Sequence, residues 1–324
     1  MNVLVTGAAG FIGSHLAERL RARGDTVIGF DNFDPFYPRA VKERNLARLH
    51  SDGSFVLIEG DLRRPDDLRR ALDQAGSVDV VVHLAALAGV RPSLDEPIRF
   101  WDVNVTGTLQ LFEAARARGI TRVVFASSSS VYGADSEPPF RETDACARPL
   151  SPYAATKRAG ELIAFGAHHL HAMNVTCLRF FTVYGPRQRP DLAIAKFTRL
   201  IATGQPIELF GDGTSSRDYT WIDDIVDGVV AAVDQQARDG AAAYRVYNLG
   251  GSHAISLREL VDRIAAALGR PAGIAARPDQ PGDMRCTLAD IGRAARELGY
   301  APRVDIAAGI PRFVAWWRAE NPHG

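Results

Sequence analysis

The order in which short apolar runs alternate with helical patterns constrains this chain more than any single motif. NVLVTG (2–7), TVIGFD (26–31), SFVLIEGD (54–61), VDVVVHLAA (78–86), RVVFASS (122–128) and NVTCLRF (174–180) are nearly continuous in apolar character. Such runs read as strands buried on both faces, as in a parallel sheet. Helical periodicity fills most of the gaps, over 14–23, 65–75, 103–118 and 152–171. Strand and helix alternating in this way predict an α/β fold, a doubly wound parallel sheet of the Rossmann type. Past residue 184 the pattern loosens into loops bearing Pro and Gly, with helices near 193–203, 222–235 and 257–268. This half predicts a smaller α/β substrate lobe. The run YRVYNLGG (244–251) has the character of one more strand of the main sheet, which makes the smaller lobe discontinuous. The expected division is 1–182 with 217–250 for the cofactor lobe, and 183–216 with 251–324 for the substrate lobe.

Composition excludes several classes. With 324 residues, 46% of them apolar, the chain is long enough for a substantial core. Lys plus Arg equals Asp plus Glu at 38 each, with no basic stripe, so nucleic acid is not an expected partner. Cys146, Cys177 and Cys286 are far apart and odd in number, which argues against a disulfide framework or zinc cluster and fits a reducing, cytoplasmic setting. No basic-then-apolar leader follows Met1, and VDVVVHLAALAGV is too short for a span and carries Asp79 and His83, so no membrane association is expected. The histidines of HHLH (168–171) have no Cys or acidic cluster to complete a metal site and suit a helix C-terminus; no metal is expected.

Two local patterns carry chemistry. In TGAAGFIGSHLAERL, Gly7, Gly10 and Gly13 lie between a strand and an amphipathic helix. Glycines there permit a tight turn and let backbone amides approach a pyrophosphate at a helix N-terminus. Asp31 ends the next strand, 18 residues after Gly13, where a carboxylate accepts from an adenosine ribose and repels a 2′-phosphate, favouring NAD over NADP. Asp61 and the HLAALAG segment follow at the ends of the next two strands, on the side where ligands bind such sheets. The second pattern is LSPYAATKRAGELI: Ser151 suits an N-cap and Pro152 the first helical position, so Tyr153 and Lys157 fall one turn apart on one face. A neighbouring ammonium stabilises phenolate, which predicts a lowered Tyr153 pKa and a usable base.

TGAAGFIG, FDN, GD, HLAA, SSSSVYG and YAATK, in this order, resemble the extended short-chain dehydrogenase/reductase family, and within it the nucleotide-sugar epimerases and dehydratases. The resemblance implies a tightly held NAD and a nucleoside-diphosphate sugar in the second lobe. It implies cofactor contacts from Gly7, Gly10, Phe11, Ile12, Gly13, Asp31, Asn32, Asp61, Leu62, Ala85, Asn104, Tyr153 and Lys157. Ser128 is expected to hydrogen-bond the sugar oxygen beside Tyr153, Tyr153 to take the proton of the 4-hydroxyl, Lys157 to hold the nicotinamide ribose, and Asn104 to support Lys157.

Related 4,6-dehydratases carry an Asp-Glu pair where this chain has Ser129 and Ser130, and related hexuronate decarboxylases carry a glutamate at Ser130. Hydroxyls orient a sugar but do not shuttle the protons of an elimination. The resemblance therefore implies a 4-epimerase working through a transient 4-keto sugar. The second-lobe segments LRFFTVYGPRQRPD, ELFGDGTSSRDYTWIDD and QPGDMR resemble those of UDP-sugar enzymes, with Arg217 on the diphosphate and Asp283 on the uridine ribose. Thr182 and Arg189 match positions near sugar C6 in UDP-glucuronate 4-epimerases, where an arginine fork suits a carboxylate. UDP-glucose and UDP-N-acetylglucosamine remain alternative substrates, Arg189 holding its own loop is the alternative role for that residue, and a dehydratase, a reductase or a non-catalytic NAD-binding protein are the remaining readings. The resemblance also implies a homodimer formed through helices 103–118 and 152–171.

Overall fold

The computed structural model describes residues 1–49, 55–278 and 284–322. Six strands form in the expected runs: β1 (Asn2–Thr6), β2 (Thr26–Asp31), β3 (Phe55–Glu59), β4 (Val80–His83), β5 (Arg122–Ser128) and β6 (Asn174–Phe180). Tyr244–Leu249 does rejoin them, pairing in parallel with β6. Every pairing in this seven-stranded sheet is parallel, and from one edge the order is β3, β2, β1, β4, β5, β6 and then Tyr244–Leu249. The order reverses direction between β1 and β4, and ligands of such sheets bind in the crevice this creates.

Helices cover both faces. α1 (Phe11–Ala22) begins directly after Gly10, α2 (Arg39–Leu46) crosses from β2 towards β3, and α3 (Pro65–Ala75) starts with proline in its first turn and two acidic residues that favour a helix N-terminus. Two short helices follow β4, α4 (Val90–Asp95) and α5 (Pro97–Trp101). The single helix expected over 103–118 is instead a π-helical turn, Asp102–Thr106, leading into α6 (Gly107–Ala117). α7 (Pro152–His171) has the bounds expected of it. The Ser151 hydroxyl accepts from the Ala154 amide, Pro152 occupies the first turn, and Ala172 ends the helix with left-handed backbone.

The second half builds two small sheets. β7 (Thr182–Tyr184) pairs in parallel with β9 (Ser216–Trp221), which pairs antiparallel with β11 (Ala254–Ser256); β8 (Ile207–Phe210) pairs with β12 (Ile274–Arg277). The boundary expected at 216/217 falls at the start of β9, whose partners lie in the small sheet and not in the large one. With α8 (Ala193–Ala202), α9 (Ile222–Arg238), β10 (Tyr244–Leu249), α10 (Leu257–Leu268), α11 (Gly292–Leu298) and α12 (Ile306–Glu320), the element order is complete for the described residues. One apolar core runs without a break from β1 and α1 through α9 to α8, α10 and α12, so the lobes share packing. Among the described residues no helix is long and apolar enough to cross a membrane.

Candidate active site

A cleft of about 460 Å³ opens along the C-terminal ends of the strands, between the sheet and the smaller lobe. Its floor is the first turn. Gly7 has φ +72°, and a Cβ there meets the Ala85 backbone at 2.8 Å; a Cβ on Gly13 falls 2.1 Å from the Gly7 carbonyl oxygen. The turn and the start of α1 thus pack at a separation that no side chain permits, leaving the helix N-terminus open to an anion. Gly10, Phe11 and Ile12 line the same stretch. This cradle fits the pyrophosphate of a dinucleotide.

At the end of β2, Asp31 accepts from the Ala9 and Phe33 amides at 3.1 and 2.8 Å. Asn32 donates to Asp61, whose carboxyl is held down to about 2, chiefly by hydrogen bonds from Arg63. Leu62 and Ala85 complete this wall of the cleft. Sequence reasoning missed Lys42, a buried lysine of α2 whose ammonium stands 3.6 Å from Asp31 and over the Tyr37 ring. The missed signal was α2 itself, a short helix with its lysine three residues past its start, to which the sequence reading assigned no element.

At the other end lie the hydroxyls and α7. Ser127 and Ser128 end β5. The Ser127 hydroxyl donates to buried Glu161 at 2.6 Å, and Glu161 is gripped on both oxygens by Arg179. Among the serines it is the Ser128 side chain that acts on the Tyr153 hydroxyl, favouring its ionised form against the effect of burial. Ser129 and Ser130 follow in a 3₁₀ turn, both lining the cleft, with the Ser130 amide and hydroxyl 3.2 Å from the Ser128 hydroxyl. Tyr153 and Lys157 line the cleft from α7 as expected.

Their electrostatics differ from expectation. Burial pushes the Tyr153 hydroxyl above its ordinary value, and the opposing influences are the Ser128 hydrogen bond and the Arg189 charge rather than Lys157. The Lys157 ammonium donates to the Ala126 carbonyl at 2.8 Å and lies 5.3 Å above the Phe125 ring; burial lowers its pKa to about 8. Its charge is engaged by the end of β5. Asn104 differs too: it does not line the cleft or meet Lys157, but bonds both backbone groups of Leu87 (2.8 and 2.9 Å) and the Thr156 hydroxyl (3.1 Å).

The smaller lobe closes the cleft with Thr182, Arg189 and Arg217. Arg189 does not hold an open fork. Its Nε and Nη2 grip the two oxygens of Asp191 at 3.0 and 2.7 Å, Nη2 also reaches the Ala88 carbonyl, and the guanidinium lies over Phe36. An acid two residues away satisfies the fork locally, so the bidentate carboxylate grip expected from the sequence gives way to a loop clasp at the cleft's edge. Arg217 projects from β9 with Nη1 on the Ser216 carbonyl. Asp283 lies outside the described residues; Met284 and Thr287, just beyond it, line the cleft and were not foreseen.

A dinucleotide cradle, a Ser-Tyr-Lys group at its far end and a second lobe bearing arginines together define a nucleotide-cofactor enzyme of the extended short-chain dehydrogenase/reductase type. Residues 3–250 match the model of the NAD dependent epimerase/dehydratase family, and the chain belongs to that family. A probable UDP-glucuronate 4-epimerase of Rhizobium meliloti is 39% identical, over 98% of this chain and 97% of its own length. Among solved structures, a UDP-glucuronic acid 4-epimerase of Bacillus cereus in complex with UDP-glucuronic acid and NAD superposes with a TM-score of 0.91 at 35% identity, covering 99% of this chain and 100% of that one. A UDP-glucose 4-epimerase of Thermotoga maritima with UDP-glucose superposes at 0.88 with 30% identity, covering 99% and 100%, so the fold alone does not choose the sugar.

Proposed function

We propose that this chain is an NAD-dependent UDP-glucuronate 4-epimerase. The carrying observation is the junction of Ser128, Tyr153 and Lys157 at the end of the dinucleotide cleft, with hydroxyls at 129 and 130 where elimination needs an acid and a base. NAD, when bound in the cradle of Gly7, Gly10 and Gly13, would supply the acceptor and donor of the hydride of sugar C4. Ser128 and Tyr153 hold the 4-hydroxyl between them, and Tyr153, in the phenolate form that the positive charge of bound NAD would favour against burial, accepts its proton as the carbonyl forms. Lys157 holds the nicotinamide ribose. The 4-keto sugar then presents its other face, and Tyr153 gives the proton back with inverted configuration. Arg217 neutralises the diphosphate, and Thr182 meets the sugar C6 group.

Relatives named as UDP-glucuronate 4-epimerases, one of them matched over 97% of its length, support the choice of sugar. The apolar side chains of Ile98, Trp101, Leu109, Leu162 and Phe165 are exposed on α5, α6 and α7, which supports a homodimer through these helices. The test is to incubate the purified protein, without added NAD, with UDP-glucuronate, UDP-glucose and UDP-N-acetylglucosamine separately and follow C4 by NMR. UDP-glucuronate is expected to be inverted fastest. Tyr153→Phe is expected to keep NAD and lose at least about a thousandfold in kcat. Normal turnover by that variant, or preference for an uncharged sugar, overturns the reading.

A further inference from the structure

His83 sits at the end of β4, opposite Thr6 in the register of β1, where the sheet order reverses. It is 1% exposed and does not line the cleft. Nothing in the epimerisation uses it, yet both ring nitrogens are engaged by hydroxyls: Nδ1 lies 2.8 Å from Thr6 Oγ1 and Nε2 lies 3.0 Å from Thr108 Oγ1. The neighbours of those hydroxyls fix the direction of every hydrogen. Thr108 Oγ1 lies 2.6 Å from the Asn104 carbonyl, which can only accept, so the single Thr108 hydrogen goes there and its oxygen receives Nε2–H. Nδ1 is then the bare nitrogen and accepts from Thr6. The Thr6 oxygen in turn accepts from the Ala85 amide at 3.2 Å.

The result is one directed chain of buried hydrogen bonds, from Ala85 N–H through Thr6, His83 and Thr108 to the Asn104 carbonyl. Asn104 continues it, binding Leu87 through both backbone groups and Thr156, the residue before Lys157. Thr156 in turn donates to the Tyr153 carbonyl at 2.8 Å. The Thr108 hydroxyl reaches the Asn104 carbonyl as helical threonines commonly do, bonding back to the carbonyl four residues earlier. A second proton on the ring would set Nδ1–H against the Thr6 hydroxyl in place of the bare nitrogen and leave the buried Thr6 hydrogen without that acceptor. Burial and the nearby Lys157 charge both hold the ring neutral, with a pKa lowered to about 3.

We propose that His83 is a positioning residue which, as the neutral Nε2–H tautomer, clamps the end of β1 and β4 to the turn of Asn104. It thereby fixes the cleft wall Ala85–Leu87 relative to the helix carrying Tyr153 and Lys157. The inference rests on reading this cleft as the cofactor site; it does not depend on which sugar is turned over. The imidazole is a spacer with a donor at one end and an acceptor at the other.

The test uses the full chain with its resident NAD. In protein labelled with 15N-histidine, the His83 ring, assigned by comparison with His83→Gln, is expected to carry a proton on Nε2 and none on Nδ1, unchanged from roughly pH 5.5 to 8.5. Thr108→Val keeps the shape and removes the hydroxyl; it is expected to lose about tenfold in kcat with KM for the sugar within about twofold, and to lose NAD faster on gel filtration. Thr108→Ser, which restores the hydroxyl, is expected to stay within about twofold of wild type on all three readouts. A doubly protonated ring at neutral pH, the Nδ1–H tautomer, or a Val variant that keeps NAD and wild-type kcat overturns the proposal. If Thr108→Val fails to fold, the ring measurement still decides the tautomer on which the proposal rests, and a wrong tautomer overturns it. Loss of the sugar assignment leaves the tautomer and NAD readouts unmoved, so the two failures are separable.

Discussion

Lys157 is the residue at which function and stability most plainly oppose each other. An ammonium enclosed beside Phe125 is disfavoured relative to water, and its pKa falls from 10.5 to about 8. A depression of that size costs the folded state about 3 kcal/mol while the group is charged. The unfolded chain keeps its proton to near 10.5, so between about pH 8 and 10.5 it binds more protons than the native state, and stability rises with pH. Below about 8 the cost is present in full. Lys157→Met removes it and orphans the Ala126 carbonyl, a loss of about 1 kcal/mol. Urea melts of NAD-free protein at pH 7 should therefore show the inactive Met variant more stable by about 2 kcal/mol, a gap that shrinks by about pH 10. A Met variant less stable at pH 7 refutes this account. Arg189 teaches a complementary lesson. The sequence offers an arginine for a carboxylate, but Asp191 is that carboxylate, a match that only the fold of the loop reveals.

At the level of elements, α7 connects a cap to chemistry. Ser151 accepts from the Ala154 amide, and Tyr153 lies in the turn this bond closes. Ser151→Ala should cost about 1 kcal/mol of stability and, because the first turn frays, lower kcat several-fold while NAD content is unchanged; Ser151→Asp should recover both. Equal kcat for Ala and wild type would mean that the cleft, not the cap, orders Tyr153. Cap, proline and 3.6-residue period agree along α7, and its bounds were legible from the sequence for that reason. The buried strands were legible too, since continuous Val and Ile runs flanked by glycine have few other uses. α2, α4 and α5 are shorter than the window over which periodicity speaks, and the π turn at Asp102–Thr106 breaks the period that was being read. β7, β8 and β11 have three or four residues each and are held by partners distant in sequence. Lys42 and the Asn104 linkages belong to the same class, since each depends on which segments the sheet brings together.

For the whole molecule, the exposed apolar side chains of α6 and α7 predict association. Leu109→Glu with Phe165→Glu should convert a dimer to a monomer by light scattering, with the circular dichroism spectrum retained. Because α7 also carries Tyr153, the monomer should have lower kcat, and a wild-type chain that is already monomeric would rule the interface out. The deep Glu161–Arg179 pair ties α7 to β6 from beneath, so the helix is anchored on its sheet side whatever covers its outer side.

Finally, the seventh strand of the main sheet comes from Tyr244–Leu249, although its neighbour β6 ends at Phe180. During synthesis, the ribosome therefore releases β6 long before its outer partner exists. That flank stays unzipped while α8, β8, β9 and α9 are made, and the nascent chain cannot seal its largest layer until Tyr244–Leu249 has emerged.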